Sequence, residues 1–384
     1  MTVRVADACE DRAESCEDIG RARRGKRCHV IKLAKRRKGA REGTVVEIFT
    51  EAHLAPNAFH SVGLRPHGPG TARRVRVLPA SMDARILDGR ALAADLRDGL
   101  TARTAALADA GITPHLRVVM LGEDESSRAY VRGMTSLGGK IGVAVAVDEL
   151  TPDCDAATLR AHLGVLENDD GVHGIILQQP LPRHLSIRDV ADAVPVGKDV
   201  DGTNPINAGR LAFATGTRFV PATPAAVMIL LERSRAWPLR GKDVVIVGRS
   251  SVVGLPVALL VLAEHATITI VHSATREVAA RAREADVLIV AMGRPRAVDC
   301  TWIKPGATVI DVGTTVVDGA LSGDVDFASA ARVAGEITPV PGGVGPVTNI
   351  ALMRNVVTAA ESAAVGRIRQ ALQPPSTSRH APLM

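Results

Sequence analysis

Aromatic residues are nearly missing from this 384-residue sequence: one tyrosine, Tyr130, two tryptophans and five phenylalanines make up 2% of it. A core has to be built from Val, Leu, Ile and Ala instead, as in α/β sheets, and the lone tyrosine draws notice. Cysteine is also sparse. Cys9, Cys16, Cys28, Cys154 and Cys300 form no CxxC pair, which speaks against a disulfide framework and for a reducing compartment, the cytoplasm. No metal is expected. No apolar run is long enough to span a bilayer. The first twenty residues carry Asp7, Glu10, Asp11, Glu14, Glu17 and Asp18, acids foreign to a signal peptide's apolar segment and to a mitochondrial transit peptide, so no membrane partner is expected.

What is present is ordinary globular composition, 46% hydrophobic and 23% charged, enough for two domains with separate cores. The formal charge of +6 suggests nucleic acid until it is located along the chain. Residues 1–81 hold 17 Lys and Arg against 9 Asp and Glu, leaving 30 against 32 for the rest. The excess centres on RARRGKRCHVIKLAKRRKGAR at 21–41, which has little apolar periodicity and no aromatic to stack on a base. Residues 1–81 read as a basic, unstructured extension, with nucleic-acid contacts expected to be nonspecific at most. Met82 stands immediately before the regular sequence, so the extension could also be an over-long start.

From Ala84 the chain alternates strand and helix patterns. LRVVML at 116–121 and VAVAVDEL at 143–150 read as strands and GVHGIILQQPLP at 171–182 as strand and loop, with helices between them. A second series runs from Pro221: a helix at 224–235, DVVIVG, a helix from Val253, TITIVHS, DVLIVAMG and ATVIDVG. This alternation predicts an α/β fold with parallel sheets covered on both faces. The domains are a catalytic one over 82–220, completed by a C-terminal helix over 347–372, and a Rossmann-like one over 221–346. Residues 373–384 read as a frayed tail.

GKDVVIVGRSSVVGLP puts Gly248 after a buried strand and Gly254 at a helix start, with Ser250 and Ser251 between them. A dinucleotide pyrophosphate needs such small residues near a helix N-terminus, although the spacing G-x-S-x-x-x-G departs from G-x-G-x-x-G; an ordinary tight turn is the alternative. The next strand ends in His272 and Ser273, where NAD-binding domains place a carboxylate. A neutral strand end beside Arg249 suits the 2′-phosphate of NADP.

SRAYVRGM at 127–134, ILQQPLP at 176–182, GKDVDGTNPINAGRL at 197–211, PATP at 221–224, GRSSVVGLP at 248–256, HSAT at 272–275, IDVG at 310–313, GDVDF at 323–327 and TPVPGGVGPVT at 338–348 together resemble the bifunctional methylenetetrahydrofolate dehydrogenase/cyclohydrolase family. The resemblance spans 82–365 in order and spacing. It implies a catalytic domain, an NADP-binding Rossmann-like domain, a folate cleft between them, a homodimer and a role in one-carbon metabolism that feeds purine biosynthesis. It also implies site residues. Asp201 holds the aminopyrimidine edge of the pterin, Gln178 lies beside the reacting carbon, Tyr130 faces the aminobenzoate, and Pro341 and Gly342 close the folate site. Gly248, Arg249, Ser250, Ser273 and Thr314 hold the cofactor.

One position departs from the family pattern. The lysine that serves the cyclohydrolase step stands four residues after the tyrosine, on the same helix face, and here that position is Met134, which cannot move a proton. Lys140 lies about 120° around the helix, and Arg132 is permanently charged. The resemblance therefore implies NADP-linked oxidation of 5,10-methylenetetrahydrofolate, with hydrolysis of the methenyl product weak or absent. Leu255 and Ala222 replace a usual lysine and a common cysteine. Three competing readings are a catalytically impaired folate- or NADP-binding subunit, separable by assaying methenyl formation; a nucleic-acid role for the basic extension, separable by its deletion; and a different Rossmann dehydrogenase, against which the folate-cleft motifs speak.

Overall fold

The β-branched runs become buried parallel strands, and the glycine- and proline-bearing stretches between them become turns. The computed structural model describes residues 84–122, 125–216 and 219–372, together with six short strand segments upstream. Residues 1–82 form a unit of their own, in which Ile31–Arg36 pairs antiparallel with Gly43–Ile48. That hairpin is regular structure where none was expected; its strands include the β-branched Ile31, Thr44, Val45, Val46 and Ile48. Most of the extension, Met82 and the tail at 373–384 lie outside the described residues.

The first series is β1 (Arg85–Ile86), α1 (Gly89–Asp109), β2 (His115–Leu121), α2 (Glu125–Ile141), β3 (Ala144–Leu150), α3 (Ala156–Glu167), β4 (Gly174–Leu177) and α4 (Pro205–Ala212). The second is α5 (Ala222–Glu232), β5 (Asp243–Val247), α6 (Gly254–Ala263), β6 (Thr267–Val271), α7 (Val278–Ala282), β7 (Val287–Val290), β8 (Thr308–Asp311), the hairpin β9 (Thr315–Val317) and β10 (Ala320–Ser322), β11 (Glu336–Ile337) and α8 (Val344–Leu372). Helix starts are capped as the sequence dictates. Asp88 accepts from the Arg90 and Ala91 N–H groups, Asp155 from Thr158, and Asn204 from Ile206.

Strands β4-β2-β3 form one parallel sheet and β6-β5-β7-β8-β11-β1 a second. The larger sheet is covered on both faces. Val244, Ile246 and Ile289 pack under α5 and α6, whereas Val245, Val247, Leu288 and Val290 face Ala282, Ile303 and Ala330. In the smaller sheet, Val118 and Met120 face α1, α2 and α8, and Val119 and Leu121 face α3. Its edge strand β3 is only partly buried, with Val145 packed against the core under α1, α2 and α8 and Leu150 against the core under α3.

Two boundaries also differ. β1 belongs to the second sheet, not to the catalytic layer that follows it, and α8 begins at Val344 and packs on both α1 and α5. The fully buried Glu336 fixes β1 in place. Its carboxylate accepts from Arg85 Nε at 2.6 Å, the Arg235 N–H at 2.8 Å and the Thr308 hydroxyl at 3.1 Å. Glu336→Ala removes an acceptor shared by three segments and is expected to cost about 3 kcal/mol in urea unfolding, with Arg85 free to turn to solvent; a loss under about 1 kcal/mol would show that the clamp contributes little.

Candidate active site

Gln178 stands at the carboxyl end of β4, and α2, which carries Tyr130, follows the carboxyl end of β2. Gln178 continues the ladder beyond β4, its N–H donating to Val119 O at 2.9 Å, while its side-chain amide donates to Gln179 O at 2.8 Å. The Ser127 hydroxyl on α2 donates to the same Gln179 carbonyl at 3.3 Å, which ties the helix carrying Tyr130 to the Gln178 loop. The Gln179–Pro180 peptide is cis.

The segment Lys198–Gly202 supplies two carboxylates with different work. Asp199 is fully buried and accepts from Thr203 N at 2.9 Å, Thr203 Oγ1 at 3.0 Å, Asn204 N at 2.9 Å and Asn207 Nδ2 at 2.7 Å. It is consumed in holding the loop. Asp201 accepts an N–H from Ala222, and burial, with the Asp199 charge beside it, pushes its pKa up to about 7. Burial first and the Asp201 charge second raise Tyr130 well above an ordinary phenol, so Tyr130 and Asp201 lie in one electrostatic environment. Gly202, at φ +65, permits this turn because a Cβ there would stand 2.8 Å from Pro221 Cγ. Asn355 of α8 donates to Val200 O and Val220 O, both at 2.8 Å, and fixes the loop from behind.

Met134 follows Tyr130 by one turn and is completely buried among Val131, Ile141, Val118 and Val200. Among the described residues no lysine takes its place. Lys198 is spent on the carbonyls of Leu166, Glu167 and Asp169 at 2.9, 2.8 and 2.7 Å, at the C-terminal end of α3. Lys140 is exposed in the last turn of α2, and Arg132 is exposed.

Gly248, Arg249, Ser273 and Thr314 follow β5, β6 and β8 at their carboxyl ends. β6 and β7 flank β5 on opposite sides, which makes this edge the switch point where open α/β sheets bind ligands. A Cβ on Gly248 would stand 2.1 Å from Ala291 O, and one on Gly254 2.4 Å from Gly248 O, so the turn itself demands both glycines. Ser250 Oγ accepts from Val253 N at 3.1 Å and Gly254 N at 3.4 Å at the start of α6, which occupies two N–H groups at that helix's amino end. Arg249, Ser273 and Thr314 are exposed. A guanidinium with hydroxyls, and no carboxylate at the end of β6, is a donor set that fits a phosphorylated ribose.

Sequence reasoning missed the two carboxylates beneath this edge. Asp311 accepts from Gly313, Asp324 and Val325 N–H groups, each at 3.0 Å, and burial raises its pKa to about 6. Asp324 accepts from Met292 N at 2.7 Å and Gly293 N at 2.8 Å. Together they shape the loops after β7 and β8. The signal was present in IDVG and GDVDF, but nothing local shows that the two motifs meet.

Comparison with known proteins follows this division. Residues 87–201 match the model of the tetrahydrofolate dehydrogenase/cyclohydrolase catalytic domain, and 221–364 that of the tetrahydrofolate dehydrogenase/cyclohydrolase NAD(P)-binding domain. The bifunctional protein FolD of Parafrankia sp. is 50% identical over 276 residues, covering 72% of this chain and 99% of that protein. A Trypanosoma brucei methylenetetrahydrofolate dehydrogenase-cyclohydrolase, solved with NADP and an inhibitor, superposes with a TM-score of 0.70 at 37% identity, covering 75% of this chain and 99% of that one. A silkworm methylenetetrahydrofolate dehydrogenase gives 0.69 at 38%, covering 73% and 99%. With both domain models matched in order, and half of all aligned residues shared with a relative covered almost end to end, the chain belongs to the tetrahydrofolate dehydrogenase/cyclohydrolase family.

Proposed function

We propose that this chain oxidises 5,10-methylenetetrahydrofolate to 5,10-methenyltetrahydrofolate with NADP, and that its second family activity, hydrolysis of the methenyl product to 10-formyltetrahydrofolate, is weak. The observation that carries this reading is the apolar burial of Met134 one turn from Tyr130, in a site that otherwise keeps Tyr130, Gln178 and Asp201.

Asp201 binds the pterin's amino edge through two parallel N–H···O bonds, Tyr130 lies against the aminobenzoate, and Pro341 and Gly342 close the cleft. Gln178, its amide anchored on its own loop, lies beside the reacting carbon. Bound NADP would supply the hydride acceptor; Arg249 and Ser273 would hold its 2′-phosphate, and Gly248, Ser250 and Thr314 would line the rest of its site. Orientation accounts for most of this step. Opening the methenyl ring is different, because water must gain and lose protons. Tyr130 stays a phenol at neutral pH and is a poor base, and Met134 has no proton to move.

Spectrophotometric assay for the methenyl product with NADP and with NAD tests the reading; a rate ratio near one would sink the NADP assignment. Because Asp201 must be ionised to accept two N–H bonds, KM for the folate is expected to fall as pH rises through about 7, and to lose that dependence in Asp201→Asn. The ligand-free protein behaves oppositely. Its folded Asp201 keeps a proton to higher pH than the unfolded chain does, so the stability from this group is present below pH about 4 and lost on passing about 7.

The resemblance supports a homodimer in purine-supplying one-carbon metabolism, and the sparse cysteines without a CxxC pair, Cys154 and Cys300 among them free, support the cytoplasm. No helix among the described residues is long and apolar enough to cross a membrane.

A further inference from the structure

The amino end of α1 sits directly on the loop that carries Pro341. Gly89 N donates to Gly342 O at 2.9 Å, and a Cβ on Gly89 would stand 1.7 Å from Gly343 O. The next side chain, Arg90, lies over Gly342: a Cβ built there would fall 3.3 Å from Arg90 Nε and 3.4 Å from Cζ, and Gly342 has φ +114. The absence of a side chain at 342 is what leaves the guanidinium its place.

Arg90 is exposed, and among the described residues its side chain has neither hydrogen bond nor ion pair. Other arginines of the first series are committed to carboxylates, Arg85 to Glu336, Arg103 to Glu361, Arg117 to Asp148 and Arg160 to Asp192. The nearest acid in sequence, Asp88, uses its Oδ1 on the helix N–H groups of Arg90 and Ala91. The site therefore presents an uncommitted planar cation against the loop that closes the folate cleft.

Resting on the folate reading above, we propose that Arg90 is the subsite for the glutamate carboxylates of the folate tail. A tetrahydrofolate bound with its pterin at Asp201 and its benzoyl ring at Tyr130 has one anionic end left, the glutamate, and that end leaves the cleft past the residues that close it. A guanidinium takes a carboxylate through two parallel N–H···O bonds, and the first turn of α1 adds favourable potential. Added γ-linked glutamates bring further carboxylates to the same cation.

The test is steady-state oxidation of 5,10-methylenetetrahydrofolate and of 5,10-methylenetetrahydropteroate, which lacks the glutamate, by wild type, Arg90→Ala and Arg90→Lys. Arg90→Ala is expected to raise KM for the glutamate-bearing substrate about tenfold, the range of a charge-assisted bond at a solvated site, to leave KM for the pteroate and for NADP within about twofold, and to be partly rescued by Lys. Equal effects on both substrates, or none on either, would overturn the subsite. Wild type that turned over neither substrate would overturn the folate reading instead, and equilibrium binding of the two compounds to wild type and Arg90→Ala would still score the subsite by the same ratio.

Discussion

Met134→Lys is expected to raise the rate of methenyltetrahydrofolate hydrolysis by about 10²- to 10⁴-fold, the usual contribution of a positioned general acid or base. The methionine is unbranched and its side chain is about the length of a lysine stem, so the aliphatic part can occupy the same apolar channel beside Val131 and Val200. Tyr130, one turn away on α2, and Asp201, on the loop whose Val200 shares a core with Met134, mark where the ammonium has to emerge. Burial lowers a lysine's pKa, which leaves part of the population neutral and able to accept a proton near pH 7. The same burial destabilises the fold, by about 1–3 kcal/mol if the amine reaches Asp201 and by more if it does not. Disappearance of the methenyl absorbance, measured beside urea unfolding, checks both statements. Met134→Leu is the control that should leave hydrolysis slow, and a lysine variant no faster than wild type would mean that a second feature, not this residue, limits the step.

Asp201→Asn is expected to lower kcat/KM for the dehydrogenase by about 10²- to 10³-fold while making the ligand-free protein more stable by about 1 kcal/mol. The activity loss follows from geometry, because an amide offers one acceptor and one donor where the pterin presents two donors, leaving one pair opposed in a desolvated site. The stability gain follows from charge: Asp201 is raised to about 7 by burial and by Asp199, so a neutral isostere relieves both. Activity within tenfold of wild type would move the pterin elsewhere, and a less stable variant would show that the Asp201 charge is not a burden on the fold.

Much of this site was legible because its chemistry sits in contiguous motifs. DVVIV and VLIV announce buried parallel strands by composition alone, and the four-residue step from Tyr130 to Met134 needs only a helix to become a shared face. The division of labour within DVDG was not legible. Asp199 and Asp201 are two residues apart on one loop, and only the convergence of Thr203, Asn204 and Asn207 on the first shows which carboxylate remains for a ligand. Arg90 was silent for a similar reason, since its meaning lies in Gly342, some 250 positions on. β1 is too short to carry any periodicity, and its place was decided by β11 and Glu336.

That pairing sets a timetable for synthesis. Arg85 and Ile86 are made early, yet their partners Glu336 and Ile337 emerge about 250 residues later, roughly 12–50 s at ordinary elongation rates. α8, which packs on α1 and α5, emerges later still. The half of the protein that leaves the ribosome first is thus the half that finishes last, exposing an unpaired strand and the apolar side of α1 in the interval, and chaperones that hold nascent chains have their window there.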